Sequence, residues 1–199
     1  MDTLIQADRS LFLFLNGFHS SFWDPIMIFI SGKITWLPFY IVLIWYLVKE
    51  RKKKVWVTLL VIALMILATD QISVMIKNSV LRLRPCQDPS MNTMLHLVRG
   101  CGGKYGFVSS HAANSFGVAI FFTLFFKHRW AGVALMFWAL IVSYSRVYLG
   151  VHFPGDILGG AILGLILGTL FFLLDKYLLL KIYHKKPPLG GEVFKVRST

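Results

Sequence analysis

The sequence predicts an all-α, polytopic transmembrane helical bundle. It has five spans, or six if the first 33 residues supply one, and an N-terminal interfacial helix. Three observations lead there. Hydrophobic residues make up 56% of the 199 positions and charged residues only 15%, more apolar surface than a soluble domain of this size can hide. The apolar residues gather in runs near the roughly 20 residues that cross a hydrocarbon core. Basic residues cluster where those runs end, in "KERKKK" (49–54), "KHR" (127–129) and "KIYHKK" (181–186).

The elements follow in chain order. Residues 1–33 read as an interfacial helix and an irregular lead-in, separate from a membrane domain over 34–183 and a flexible cytoplasmic tail over 184–199. Leu4, Leu11, Phe14 and Leu15 suggest an amphipathic helix that Asn16-Gly17 ends. Asp24-Pro25 starts a second short helix, and "SGK" at 31–33 interrupts it. Spans are predicted over 34–48, extending back to about residue 26, and over 55–80, 112–126, 130–149 and 157–180. Trp36, Trp45, Trp56 and Trp130 fall near the ends of these runs, as an aromatic belt would. The tail "HKKPPLGGEVFKVRST" is rich in Pro, Gly and charge. The N-terminus "MDTLIQADRS" lacks the basic stretch and small-residue site of a cleaved signal.

The net charge of +12 could suggest nucleic acid. Its placement at span ends, with no basic stripe interleaved with stacking aromatics, argues against that partner. Assigning all three basic clusters to the cytoplasm gives one consistent topology. It puts "KNSVLRLRP" (77–85), "FVSSH" (107–111) and "SRVYLGVHFPGD" (145–156) together at the opposite, outer face.

Each stretch alone has an ordinary reading: a snorkelling Lys77, a capped helix start at Ser109 and Ser110, a Pro-Gly turn. Together they place three cations, Lys77, Arg84 and Arg146, beside two helix N-termini whose free N–H groups favour an anion. Two histidines, His111 and His152, stand at the same level. Asp156, four residues after His152, can hold one imidazole nitrogen and leave the other free. This composition suits a phosphate site with a nucleophile and an acid.

At these residues the chain resembles the type 2 phosphatidic acid phosphatase superfamily of membrane lipid phosphatases, which also contains glucose-6-phosphatase and the vanadium haloperoxidases. The family pattern is Lys, six residues, Arg-Pro; then Pro-Ser-Gly-His; then Ser-Arg, five residues, His, three residues, Asp. Lys77 with Arg84-Pro85, Ser109 with His111, and Ser145-Arg146 with His152 and Asp156 match it. Val108 and Ser110 stand where the family has Pro and Gly. Ser110 would cost backbone freedom if that position needs a positive φ, and it could offer a hydroxyl in exchange.

The resemblance implies that His152 is the nucleophile of a phosphohistidine intermediate, that Asp156 orients it, and that His111 protonates the leaving group. Lys77, Arg84, Ser109, Ser110 and Arg146 would hold the phosphoryl oxygens. It implies no cofactor and no metal, and three cations would oppose a metal held by the histidines and Asp156. The implied activity is hydrolysis of a lipid phosphate or diphosphate, with undecaprenyl diphosphate or a lipid A phosphate favoured. The site would face the periplasm from a bacterial inner membrane. The partners are the lipid phosphate and membrane lipids, and no oligomeric state is predicted. A membrane protein that binds or transports lipid phosphate without turnover is the alternative, disfavoured because both histidines and Asp156 are retained. A haloperoxidase reading suits a membrane chain less.

Three further expectations come from the residues alone. Asp70 shares a helix face with Lys77, and either supports the polar floor of the site or makes an inert interhelical hydrogen bond. Cys86 and Cys101, both in the outer loop, could form a disulfide or remain free thiols. Met91, Met94, Leu95 and Val98 have helical spacing, which suggests a short apolar helix that either gates substrate or packs against the spans.

Overall fold

The computed structural model describes residues 2–91, 93–126 and 128–183; the proposed tail over 184–199 lies outside the described residues. Among the described residues, seven α-helices carry the fold: α1 (Asp2–Asn16), α2 (Trp23–Ser31), α3 (Leu37–Arg51), α4 (Val55–Val80), α5 (Ser110–Phe126), α6 (Arg129–Tyr148) and α7 (Pro154–Tyr183). Three helical stretches among the described residues are long and apolar enough to cross a membrane: 34–80, 129–148 and 154–183. The first contains α3 and α4, broken at Lys52, whose φ of 49° leaves the helical region. Ser110–Phe126 is equally apolar but shorter.

α5 is the central helix and packs against α4, α6 and α7. Its residues Ala112, Phe116, Val118, Ala119, Phe121 and Phe122 are buried. The approach of α7 is unusually close because Gly160, Gly164 and Gly168 repeat every four residues along one face. A methyl group added at Gly164 would collide with the carbonyl oxygen of Ala113. Small residues at this spacing let two apolar helices pack backbone to backbone, which is how helices associate where lipid removes the hydrophobic drive.

The opposite faces are apolar and open. Leu158, Ile162, Ile166, Leu170 and Leu173 of α7 are more than half exposed, as lipid-facing side chains are. Trp45, Trp56 and Trp130 are likewise exposed. Trp36 departs from the expected belt. It is turned inward, donates from Nε1 to the Ile30 carbonyl at 2.7 Å, and meets Trp138 edge to face.

Polar contacts fix the direction of the helices. At one end, Arg51 and Thr58 reach Asp175 of α7 at 2.9 and 2.8 Å; this end carries the basic residues of the α3–α4 junction. At the other end, Lys77 meets Ser110, and the Ser109 N–H donates to the Asp156 carbonyl at 2.9 Å. The three polar stretches picked out in the sequence therefore converge at one end of the bundle.

Residues 1–33 form two helices folded over that end. α1 packs on α6 and α7, and α2 on α6. Leu4, Leu11 and Phe14 face outward while Phe12 is fully buried. Asn16 is buried and its amide donates to the carbonyls of Val147 and Tyr148, capping the end of α6. Asp24 accepts from the Tyr148 hydroxyl at 2.7 Å and pairs with His96 at 2.9 Å. These polar residues are anchors for the site end of the bundle.

One local expectation fails. None of the described residues of Met91–Val98 is helical; they form turns, a bend and irregular chain. Asp88 opens it with an Asx turn, accepting from the Ser90 N–H and hydroxyl at 3.0 and 2.7 Å. Met91 is buried against Phe12, Val147 and Phe153, whereas Met94 is exposed. There is no apolar helical face to serve as a gate, because turn chemistry outweighs a four-residue periodicity.

Candidate active site

The chain that reaches the site is controlled by a cap at the end of α6. Gly150, with φ 76°, adopts the left-handed conformation. Its N–H donates to the Val147 carbonyl and the next N–H, of Val151, donates to the Arg146 carbonyl, at 3.0 and 3.1 Å. This is a Schellman motif. It ends the helix and delivers His152 two residues after Gly150.

α7 then starts with Pro154 at its first position, where the missing N–H costs nothing. Asp156 sits in its first turn and accepts from the Phe153 N–H at 3.0 Å, as an acidic third residue does in a capping box. The same carboxylate oxygen faces His152 Nδ1 at 3.3 Å. His152 and Asp156 are both almost completely buried.

The other imidazole nitrogen, Nε2, lies 3.3 Å from Arg84 Nη1. A guanidinium only donates. Nε2 is therefore the bare, accepting nitrogen, and Nδ1 carries the proton toward Asp156. Burial, followed by the charges of Arg84, Arg146 and Lys77, holds the His152 imidazole well below its ordinary pKa. The side chain is neutral at physiological pH, with its lone pair beside a cluster of cations.

Arg84 is held by a short paired segment. Leu83 bridges Tyr105 in antiparallel fashion, and the Arg84 and Gly106 N–H groups donate to Lys104 and Arg82 carbonyls at 3.1 and 2.8 Å. Cys86 and Cys101 are joined nearby, with Cα atoms 5.8 Å apart. Arg84 also donates to the Tyr105 carbonyl at 3.2 Å.

A cavity of about 470 Å³ opens beside these groups. Lys77, Arg84, Ser110, His111, Arg146 and His152 line it. Lys77 does not snorkel away: its Nζ donates to Ser110 Oγ at 2.6 Å. Ser110 is helical and not among the residues with positive φ. The backbone cost expected from its replacing Gly is not incurred, and its hydroxyl is engaged by Lys77.

Two of the expected site residues stand behind the cavity wall. Asp156 backs His152. Ser109 is fully buried and caps α5, its Oγ accepting from the Ala112 N–H at 3.4 Å. With its own N–H spent on the Asp156 carbonyl, Ser109 here holds the α5 and α7 N-termini together and does not line the cavity.

Asp70 lines the deeper part of the cavity and accepts from Asn114 Nδ2 at 2.7 Å. The contact is interhelical, as the bland reading required, but it also forms part of the cavity wall. We expect Asp70→Asn to lower kcat/KM about tenfold, the worth of roughly one charge-assisted hydrogen bond, with unchanged expression. Normal activity together with normal expression would make the contact inert.

Several lining residues were not singled out in the sequence. Ser31 accepts from Arg146 Nη1, and Lys33, Tyr40, Asn114 and Trp138 also line the wall, together with Trp36, expected only as a belt residue. "SGK" at 31–33 was visible only as a helix break; nothing marked it as a partner of Arg146. Arg82, two residues before Arg84, donates to Asp156 Oδ1 at 2.9 Å and to Asp8 Oδ2 at 2.5 Å.

An all-helical bundle with apolar spans and a buried Asp–His pair beside a cationic cavity defines the class: an integral membrane protein. The chain belongs to the PAP2 superfamily, whose family model matches residues 58–179, and it is a phosphatase, a hydrolase of phosphate esters. It is 39% identical over 194 residues to the lipid A 4'-phosphatase of Bacteroides thetaiotaomicron, covering 96% of this chain and 86% of that protein. It is 34% identical over 171 residues to the lipid A 4'-phosphatase of Porphyromonas gingivalis, covering 84% and 72%. The crystal structure of a transmembrane PAP2 type phosphatidylglycerolphosphate phosphatase from Bacillus subtilis superposes with a TM-score of 0.68. That match has 25% identity and covers 94% of this chain and 90% of the other.

Proposed function

We propose that this protein removes a phosphate from a lipid through a phosphohistidine intermediate, with its site on the periplasmic face of a bacterial inner membrane, and that its substrate is a lipid A phosphate. The observation that carries the reading is the bare Nε2 of His152 placed against Arg84, at the edge of a cavity also lined by Arg146, Lys77 and the N-terminus of α5.

The steps follow from these positions. The cations and the α5 N-terminus hold the phosphoryl oxygens and offset the charge that grows on them. Nε2 attacks phosphorus, and the bond from phosphorus to the lipid oxygen breaks. His111, protonated when the phosphate anion beside it offsets the surrounding cations, delivers its proton to the departing alkoxide. Asp156 steadies the Nδ1–H of the now cationic imidazole. His111, left neutral, takes a proton from water, which attacks the phosphohistidine, releases phosphate and restores His152. The basic residues of the α3–α4 junction lie at the far end of the bundle, which supports five crossings and an outward-facing site.

The deeper wall favours a sugar-bearing substrate over a diphosphate. Asp70, Asn114, Trp36, Tyr40 and Trp138 surround the space beyond the phosphate ligands. The Asp70 carboxylate would oppose a second phosphate there. Its acceptor oxygens, the unpartnered Trp138 Nε1 and Asn114 Oδ1, and the aromatic faces suit a hydroxyl-rich ring. The relatives named as lipid A 4'-phosphatases support the same choice. The test is phosphate release by purified protein from lipid A phosphates, undecaprenyl diphosphate, phosphatidylglycerol phosphate and phosphatidic acid. Lipid A phosphate should give the highest kcat/KM. A higher value for undecaprenyl diphosphate would overturn the substrate assignment, and release from none would overturn the reading.

A further inference from the structure

We propose that Arg82 and Asp8 are positioning residues for the catalytic carboxylate, and that α1 is thereby a working part of the active site. The inference rests on the proposed roles of His152 and Asp156. It concerns residues that the family pattern does not specify, one of them outside the region that matches the family model.

The contacts form one chain of charges. Asp156 has no solvent exposure, so each carboxylate oxygen needs a partner within the protein. Oδ2 receives the Phe153 N–H and faces His152 Nδ1. Oδ1 receives Arg82 Nη1. Nη2 of the same guanidinium donates to Asp8 Oδ2. The second oxygen of Asp8 accepts from the Gly155 N–H at 2.8 Å. Asp8 thus caps the start of α7 from a helix nearly 150 residues earlier in the chain, doing for a free N–H what a local capping residue usually does.

The guanidinium is fixed in its plane as well as at its ends. Its carbon lies 4.4 Å from the centre of the Phe153 ring, and Phe12 of α1 meets that ring edge to face at 5.3 Å. A fork held on two carboxylates and one ring has little freedom to rotate. Asp156 then presents one oxygen to His152 in a set direction, and the Nδ1–H tautomer is set with it.

A purely structural staple for α1 would not need this arrangement. α1 is already docked by Phe12, by Asn16 on the end of α6, and by Arg9 on Asp88 at 2.6 Å. The charges around Asp156 are Arg82 from the loop after α4, Asp8 from α1 through Arg82, His152 beside it, and Arg84 and Lys77 farther off. Among the described residues, Arg82 is the cation in direct contact with the carboxylate. Without it, Oδ1 is buried with no donor and Asp156 is driven toward its protonated form. A protonated Asp156 cannot steady the imidazolium formed when His152 attacks.

The test uses the full chain in detergent with the best lipid phosphate from the panel above. Arg82→Gln should lower kcat about 10- to 100-fold, the range for outer partners that orient a functional histidine, with KM little changed. The acid limb of its kcat profile should move to higher pH. Arg82→Lys should recover part of the loss. Asp8→Asn should lower kcat by a smaller factor and add almost nothing on top of Arg82→Gln, since both act through one chain. Arg9→Ala, on the same helix but outside that chain, should keep parental kcat.

Folded Arg82→Gln protein with parental kcat overturns the proposal, as does a rise in KM alone or independent, additive effects of the two substitutions. If Arg82→Gln does not fold, Arg82→Lys and Asp8→Asn decide it by the same kcat and pH readouts. Parent and His152→Ala proteins run alongside. An inactive parent overturns the functional reading with this inference; an active parent, inactive His152→Ala and undiminished Arg82→Gln overturn the positioning role alone.

Discussion

His152→Ala should lower phosphate release by on the order of 10³-fold or more, the loss expected when the nucleophile of a covalent mechanism is removed. The size follows from the geometry. Nε2 is the bare nitrogen facing the cations, and its lone pair is available because the ring proton stays on Nδ1, which donates to Asp156. Among the described residues, the other groups that Arg84 reaches are backbone carbonyls, of Tyr105 and Val151. The cavity and its cations survive the substitution, so an inert oxyanion such as vanadate should still bind, more weakly. Rapid acid-free quenching of the parent should trap phosphate on protein, and the variant should trap none. Label retained by His152→Ala would assign the intermediate elsewhere.

The same residue sets a pH expectation. His152 acts as a neutral imidazole, and burial with the nearby cations depresses its pKa well below the ordinary value. The sign is clear: the attacking form persists as pH falls through the usual imidazole range and is lost only further down. Direct titration of the His152 ring by NMR in substrate-free protein should place its midpoint well below that of an exposed imidazole. A midpoint near 6.5 would mean that the cations do not reach it.

His111→Gln should show the second large effect, and it should depend on the leaving group. A lipid alkoxide is a poor leaving group and needs a proton as it departs; that help is worth about 10²- to 10⁴-fold. p-Nitrophenolate leaves without one. The substitution should therefore cost orders of magnitude on a lipid phosphate and far less on p-nitrophenyl phosphate. His111 lines the cavity one residue into α5, next to the Ser110 that Lys77 holds, which places it across the phosphate ligands from the floor. An equal loss on both substrates would make His111 a phosphate ligand or a structural residue instead.

Much of this site was legible in the sequence because its parts are strictly local. Six of the positions expected from the three stretches do line one cavity. Cations at span ends, serines before a helix and a histidine four residues before an acid each have meaning within a few residues. The Met91–Val98 helix misled for the same reason. Its apolar spacing is a local signal, but Asp88 and Ser90 supply a stronger local signal for a turn. Ser109 was assigned to phosphate by its position in the pattern, whereas the fold spends its groups on joining two helix starts.

Asp8, Ser31 and Arg82 could not be weighed in this way. Their side-chain partners lie 74, 115 and 74 residues away in the sequence, and each contact is a single side chain with no repeat to betray it. Residues 1–33 read as an appendage because they lack a long apolar run. Folded, they cap α6 through Asn16, hold Arg146 through Ser31 and reach Asp156 through Arg82.

The sequence by itself determined the solvent, the helical class and the chemical inventory of the site, since hydropathy, charge placement and short motifs act over one helix or one turn. Only the tertiary structure decided which nitrogen of His152 is bare, that Ser109 stands behind the cavity wall, and that the N-terminal helix reaches the catalytic carboxylate. Those outcomes depend on how closely α7 can approach α5 and where α1 docks, and such distances are set by packing among elements far apart in the chain.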